Sequence, residues 1–209
     1  MLWIVLFLAC LTAVRFALSA AEHAEGSSAP PLRLAGELLE AAIIAFTAVF
    51  LVLRPFVAQA FYIPSDSMHP TLQRNDRILV NKLAYRFAPV QRDDVVVFRA
   101  PPAASRTESE LPAREEEFVK RVVGLPGDTV EIHDGLLYVN GEPHELPNLR
   151  ERAEYEFPPY VVPPGRLFVL GDNRNHSNDS HRWGSLETSR VIGRVAFIYW
   201  PPGRLGRVR

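Results

Sequence analysis

Two long apolar runs open the chain, and a series of short alternating runs follows them. The second long run, Leu38 to Leu53, carries one charge, Glu40, before Arg54-Pro55 punctuates its exit. Extended through Phe56-Val57-Ala58, it approaches the roughly 20 residues that span a bilayer. The pattern predicts a transmembrane helix over 38–58; the alternative, a buried core helix, fits less well because the run has no polar stripe. The first run, Met1 to Ala21, is apolar except for Thr12, Arg15 and Ser19. It predicts a first membrane segment over 1–21, with Arg15 near enough to one end to reach the headgroups. A cleavable signal peptide is the rival there, since Ser19-Ala20-Ala21 is small enough for processing, but no Lys or Arg precedes the apolar run. Residues 22–37 are rich in Ala, Ser and Pro and are read as a linker. Arg33 is the linker's only basic residue, so charge gives no topology.

From about Phe61 the period changes. Ile78 to Val80, Val95 to Phe98, Glu117 to Val123, Thr129 to Ile132, Leu136 to Val139, Leu167 to Leu170 and Val191 to Trp200 all read as strands. Asp134-Gly135 and Asn140-Gly141 are turn signals between them. No sustained helical period follows the second apolar run. The expected fold is mainly β: a β-rich domain over 61–209, anchored by one or two N-terminal transmembrane helices. Residues 101–116, polar and ending in acidic residues, read as a surface excursion.

Composition narrows the partners. The formal net charge is −1, which gives no support to nucleic acid or a strongly anionic surface. The single Cys10 rules out an intrachain disulfide. The 23 basic residues include only two lysines, Lys82 and Lys120. Arginine keeps its proton in a protein, whereas lysine gives it up when its charged form is desolvated. Lys120 lies in the alternating stretch Phe118 to Val123 and shares a face there with Phe118 and Val122. It is therefore a candidate catalytic base. Lys82 follows a similar run, Ile78-Val80-Lys82, so pattern alone does not separate the two.

Two further segments carry polar chemistry. Pro64-Ser65-Asp66-Ser67-Met68-His69-Pro70 presents two hydroxyls between prolines, about ten residues after the second apolar run. Gly171 to Gly184 packs Asp172, Asn173, Arg174, Asn175, His176, Ser177, Asn178, Asp179, Ser180 and His181 into one loop with almost no aliphatic content. Asn175-His176-Ser177 and Asn178-Asp179-Ser180 match the glycosylation acceptor pattern, a short and frequent one read here as composition. Three arrangements fit these residues. A Ser-His-Asp triad would draw on His69, His176 or His181 with Asp172 or Asp179. A metal site would draw on His176, Asp179 and His181, without an established ligand spacing. A Ser67–Lys120 dyad is the one that accounts for the rare lysine in an apolar strand.

Taken together, Pro64-Ser65-Asp66-Ser67-Met68, Lys120-Arg121-Val122-Val123-Gly124-Leu125-Pro126-Gly127-Asp128 and Gly171-Asp172-Asn173-Arg174…Ser177…Asp179-Ser180 closely resemble, in order, the motifs of type I signal peptidases. Lesser matches lie at Asp76 to Lys82 and Arg92 to Phe98. The resemblance implies that Ser67 is the nucleophile and Lys120 the general base. It implies that the Ser65 hydroxyl and the Ser67 backbone N–H form the oxyanion hole, that Ser177 orients the lysine, and that Asp179, Asp172 and Arg174 support the site. It further implies a Ser-Lys serine endopeptidase in the plasma or inner membrane, with its catalytic part on the extracytoplasmic side. Such an enzyme removes signal peptides from exported preproteins, favours small residues at the first and third positions before the cut, and needs no cofactor or metal. Asn175-His176 stands where the family usually has Asp-Asn, and His181 where it commonly has arginine. These departures fall in the supporting network and leave the serine-lysine pair untouched. A self-cleaving repressor-type protease would need a DNA-binding module in place of the apolar N-terminus. A membrane-tethered binder that does not cut would have no need of Ser65, Ser67, Lys120 and Ser177 together.

Overall fold

The structure is a computed structural model that describes residues 2–24, 30–50, 57–104, 116–146, 149 and 151–208. The chain divides into two compact units, Met1–Val57 and Ala58–Arg209.

The first unit is helical. Helix α1 covers Leu2–Ala24 and α2 covers Pro30–Thr47, with π-helical turns at 48–50. Helix therefore occupies much of the stretch expected to be a linker. Proline at the first position suits a helix start, because its missing N–H would have no partner there anyway. The helices meet where the Phe7 and Phe46 rings lie 5.2 Å apart and Arg15 Nη2 reaches Glu40 Oε2 at 3.6 Å. Phe16, Leu38 and Ile44 are exposed. Among the described residues no helix is long and apolar enough to cross a membrane. The last part of the second apolar run, 51–56, lies outside the described residues.

The described residues of the second unit form twelve strands: β1 (Ala58–Tyr62), β2 (Arg77–Asn81), β3 (Val95–Arg99), β4 (Glu117–Gly124), β5 (Thr129–His133), β6 (Leu136–Val139), β7 (Glu142–Pro143), β8 (Phe157–Val161), β9 (Arg166–Leu170), β10 (Leu186–Glu187), β11 (Val191–Trp200) and β12 (Gly206–Arg207). Two single turns of helix, α3 (Ala84–Phe87) and α4 (Ser180–Trp183), interrupt them. One sheet runs β1-β2-β11-β3-β4-β9-β10, with β12 also on β11; a smaller one runs β7-β6-β5-β8. The ladders are antiparallel. β1 starts at Ala58, three residues before the domain start read from composition.

Burial explains the patterning. Val95 to Phe98 are all buried, as expected of a strand covered on both faces. β2 buries Ile78 and Val80 alone, and β5 buries Val130 and Ile132 alone. Met68, Leu72, Ile78, Val80 and Val195 form one core, and Phe98, Val122, Leu167 and Leu186 another. A third, around Val130, Ile132, Val139 and Phe168, packs the smaller sheet. Asp134 and Gly135, both at positive φ, close the β5–β6 hairpin as their sequence predicts. β8 contains Pro158-Pro159 and lies at an edge, where the missing N–H groups cost no ladder bond.

One irregularity matters for the site. β4 pairs with β3 from Glu117 to Arg121, but its pairing with β9 begins only at Arg121. Residues 117–120 therefore keep one edge without a strand partner among the described residues. The expected surface excursion begins with a 3-10 turn, Pro102–Ala104, in which Ala104 is buried. Residues 105–115 lie outside the described residues.

Candidate active site

The turn after β1 carries Ser65 and Ser67. It is pinned by the side chain of Met68, 1% exposed in the first core, and by Ile63, whose N–H donates to Asp76 O at 2.9 Å. Opposite, β4 presents Lys120, buried at 4% exposure. Lys120 Nζ donates to Ser67 Oγ at 2.8 Å and to Val119 O at 2.9 Å. It lies 5.6 Å from the Phe118 ring centroid, on the face the alternation assigns to both. Desolvation pushes the amine down from its ordinary 10.5 to about 8, against the opposing pull of the Asp179 and Asp172 charges. Among the described residues no carboxylate bonds it directly. At pH 7 roughly a tenth of such lysines are neutral, against fewer than one in a thousand for a solvated one.

Lys82 falls in the turn after β2, half-buried, and lines neither cavity at Ser67. Of the nucleophile partners weighed from sequence, the bonded one is Lys120. His181 is engaged elsewhere, and His176 is exposed. Among the described residues no cluster of His, Cys, Asp and Glu could hold a metal ion.

Ser65 Oγ lies 3.4 Å from Ser67 Oγ, on the same cavity wall. Ser177 behaves differently from its expected role. Its Oγ is buried without a hydrogen-bond partner, so it does not bond Lys120 Nζ. It is nevertheless packed beside the nucleophile. A Cβ built on Gly171 would come within 2.2 Å of Ser177 Oγ and 2.5 Å of Ser67 O, so the loop closes against the Ser67 backbone at that glycine. Asn173 reinforces the contact, its N–H donating to Ser67 O and its Nδ2 to Asp66 O, each at 3.1 Å.

The acidic residues fall into two groups. Asp179 is fully buried. Its Oδ2 accepts from Gly171 N at 2.9 Å, and its Oδ1 pairs with His181 Nδ1 at 2.6 Å. The His181 ring stacks on Tyr155 with centroids 4.2 Å apart, and Arg182 Nε donates to its other nitrogen at 3.2 Å. The departure at 181 thus still supplies a partner for the aspartate. Asp172 takes two bonds from Arg121, Nε to Oδ1 and Nη2 to Oδ2, both 2.8 Å. Thr71 Oγ1 also donates to it. Arg174 is buried, with Nε and Nη2 unpartnered, and burial holds its guanidinium below the usual arginine range.

Sequence reasoning missed Arg121 and Thr71. Arg121 stands next to the lysine in an alternating strand, so it necessarily faces the other way, and that was the available signal. The two glycosylation-like asparagines serve the fold. Asn175 Nδ2 donates to Arg152 O and its Oδ1 accepts from Glu154 N, while Asn178 Nδ2 donates to Ala104 O.

Comparison with known proteins gives the same direction. Residues 35–200 match the family described as signal peptidase, peptidase S26. A signal peptidase I of Leptolyngbya laminosa is 45% identical over 156 residues, 75% of this chain and 75% of that protein. A probable signal peptidase I-1 of Synechocystis sp. is 44% identical, over 76% of this chain and 79% of its own length. Thylakoidal processing peptidase 1 of Arabidopsis thaliana is 40% identical, over 88% of this chain and 55% of its own.

Proposed function

The chain belongs to the signal peptidase, peptidase S26, family, a serine endopeptidase by descent, and we propose that it removes signal peptides from preproteins with Ser67 as nucleophile and Lys120 as general base. The observation that carries this assignment is the 2.8 Å bond between Lys120 Nζ and Ser67 Oγ, made by a buried amine that no carboxylate among the described residues bonds.

Neutral Lys120 takes the proton from Ser67 Oγ as the oxygen attacks the scissile carbonyl. The Ser65 hydroxyl and Ser67 N–H receive the developing oxyanion. When the tetrahedral species collapses, the ammonium returns its proton to the leaving amine, and the acyl group stays on Ser67. Lys120 then deprotonates the water that attacks the ester, which releases the cleaved signal peptide and restores the serine. Asp179, Asp172 and Arg174 hold the loop that backs the nucleophile, and Ser177 fills the space behind Gly171. A hydroxyl there reaches the amine only after a shift of its side chain or of the lysine.

The unpaired edge of residues 117–120 suits an extended substrate, which adds a strand there by main-chain hydrogen bonds. A cavity of about 570 Å³ lies beside it, with Ile63, Met68, Val97 and Phe118 in its walls. Small side chains before the cut fit such a groove. The large apolar residues exposed on α1 and α2 support membrane attachment of the N-terminal unit, with the catalytic unit on the extracytoplasmic side. The test is cleavage of a preprotein in detergent by the wild type and by Ser67→Ala, Lys120→Ala and Lys82→Ala. Cleavage lost in the first two and kept in the third supports the assignment. Normal activity of Lys120→Ala would falsify it.

A further inference from the structure

Ser67 borders two cavities of opposite character. Ser65 and Ser67 line both the apolar groove that contains Lys120 and a second cavity of about 640 Å³. Polar side chains dominate the second: Asp66, His69, Arg74, Glu151, Asn173 and His176. We propose that this second cavity is the subsite for the first two or three residues after the cut, and that Glu151 makes it favour basic over acidic side chains there.

Geometry supplies the first step. The proposed mechanism fixes the scissile carbonyl at Ser67 Oγ, so an extended substrate has to leave that atom in two directions. An apolar cavity and a polar one both begin at the same serine. The edge of residues 117–120, proposed above to pair with the segment before the cut, borders the apolar groove and not the polar cavity, which leaves the polar cavity to the segment after the cut. The cavity's volume suits a short peptide segment. Its wall beside the nucleophile is fixed by the Asn173 Nδ2 bond to Asp66 O.

Charge supplies the second step. Asp66 is paired with Arg74 at 2.9 Å, and Asp172, which also lines this cavity, is saturated by Arg121. Glu151 is exposed and makes no ion pair among the described residues. The neighbouring Arg152 packs beside Gly135 and lines a cavity that Glu151 also borders, but it does not line the one at Ser67. Among the described carboxylates and guanidinium that line this cavity, Glu151 is the one without an ion-pair partner, and it is negative. A lysine or arginine soon after the cut gains from it; an aspartate or glutamate is repelled.

The inference rests on the activity proposed above, and the experiment separates their failures. Three preproteins, identical through the cut and differing only in Lys, Ala or Glu at the second residue after it, are compared by kcat/KM with wild type and Glu151→Lys. For wild type the expected order is Lys above Ala above Glu, spanning roughly three- to tenfold at low ionic strength. High salt should compress the span, because the charge is exposed. Glu151→Lys should reverse the order, read as the ratio of kcat/KM for the Lys substrate to that for the Glu substrate. Equal rates for all three substrates, or an equal change in all three on Glu151→Lys, overturns the subsite assignment while cleavage itself stands. Failure of wild type to cut the Ala substrate overturns the activity, and the subsite falls with it.

Discussion

Lys120 and Arg121 are neighbours on one strand, both cationic by nature and both buried to a few per cent exposure, yet they meet opposite fates. Arg121 faces a carboxylate squarely and donates two 2.8 Å bonds to it, a third to Thr71 Oγ1 and a fourth to the Asp93 carbonyl. Lys120 faces a hydroxyl and a carbonyl, with its nearest carboxylates acting only at a distance. Burial with an acid in contact keeps a cation charged and makes it a structural tie. Burial without one drives the cation toward its neutral form, which makes it reactive. The choice of side chain agrees: a guanidinium that never titrates on one face, an amine that does on the other.

The severest way to break this contrast is Lys120→Arg, which retains size and charge but not the capacity to lose a proton. Activity should fall by roughly 10⁴-fold or more, measured by single-turnover preprotein cleavage, with an unchanged fold by circular dichroism. Removing the other cation should act on stability instead. Arg121→Met leaves Asp172 buried without its partner and should cost about 3–5 kcal/mol in urea unfolding. Ser65→Ala, which leaves both cations alone, should lower kcat by roughly 10²- to 10³-fold with little change in KM.

Smaller effects sharpen the comparison. Lysine is charged in the folded protein below about pH 8 and in the unfolded chain below its ordinary 10.5. Between those values the unfolded state binds more protons, so stability rises with pH; the burial cost is present in full below about 8 and disappears near 10.5. Lys120→Met should therefore stabilise the protein at neutral pH by on the order of 1–3 kcal/mol, and the gain should vanish as pH approaches 10.5. Activity should rise with pH through an acidic limb near 8. Because the Asp179 charge opposes the fall of the lysine, Asp179→Asn should move that limb to lower pH in whatever folded fraction remains.

The same two residues mark how far the sequence could be read. Scarcity of lysine narrowed the choice to Lys82 and Lys120, and the alternation of β4 put Lys120 on one face with Phe118, where its amine lies 5.6 Å from the ring centroid. The unbroken apolar run Val95 to Phe98 and the alternating Thr129 to Ile132 both form strands as read, and Asp134-Gly135 closes its hairpin. β8 was hidden by Pro158-Pro159, a pair tolerated only because that strand is an edge. β1 was hidden because Ala58 to Tyr62 continues the apolar run before it and is marked as a strand only by its pairing with β2. The Arg121–Asp172 tie joins residues 51 positions apart, and no local pattern reports such a partner. Nor does composition reveal that Ser177 stands behind a glycine with its hydroxyl bonded to nothing among the described residues.

Gly171 sets a clearance. An ideal Cβ there would fall 2.5 Å from the Ser67 carbonyl oxygen and 2.2 Å from Ser177 Oγ, so one methyl group already exceeds the gap on both sides. The nucleophile's turn and the asparagine-rich loop are thereby held at a spacing gauged by a missing carbon atom. Neither can drift without jostling the other, and a chain that lengthens or repacks the loop will detune its serine before it ever touches it.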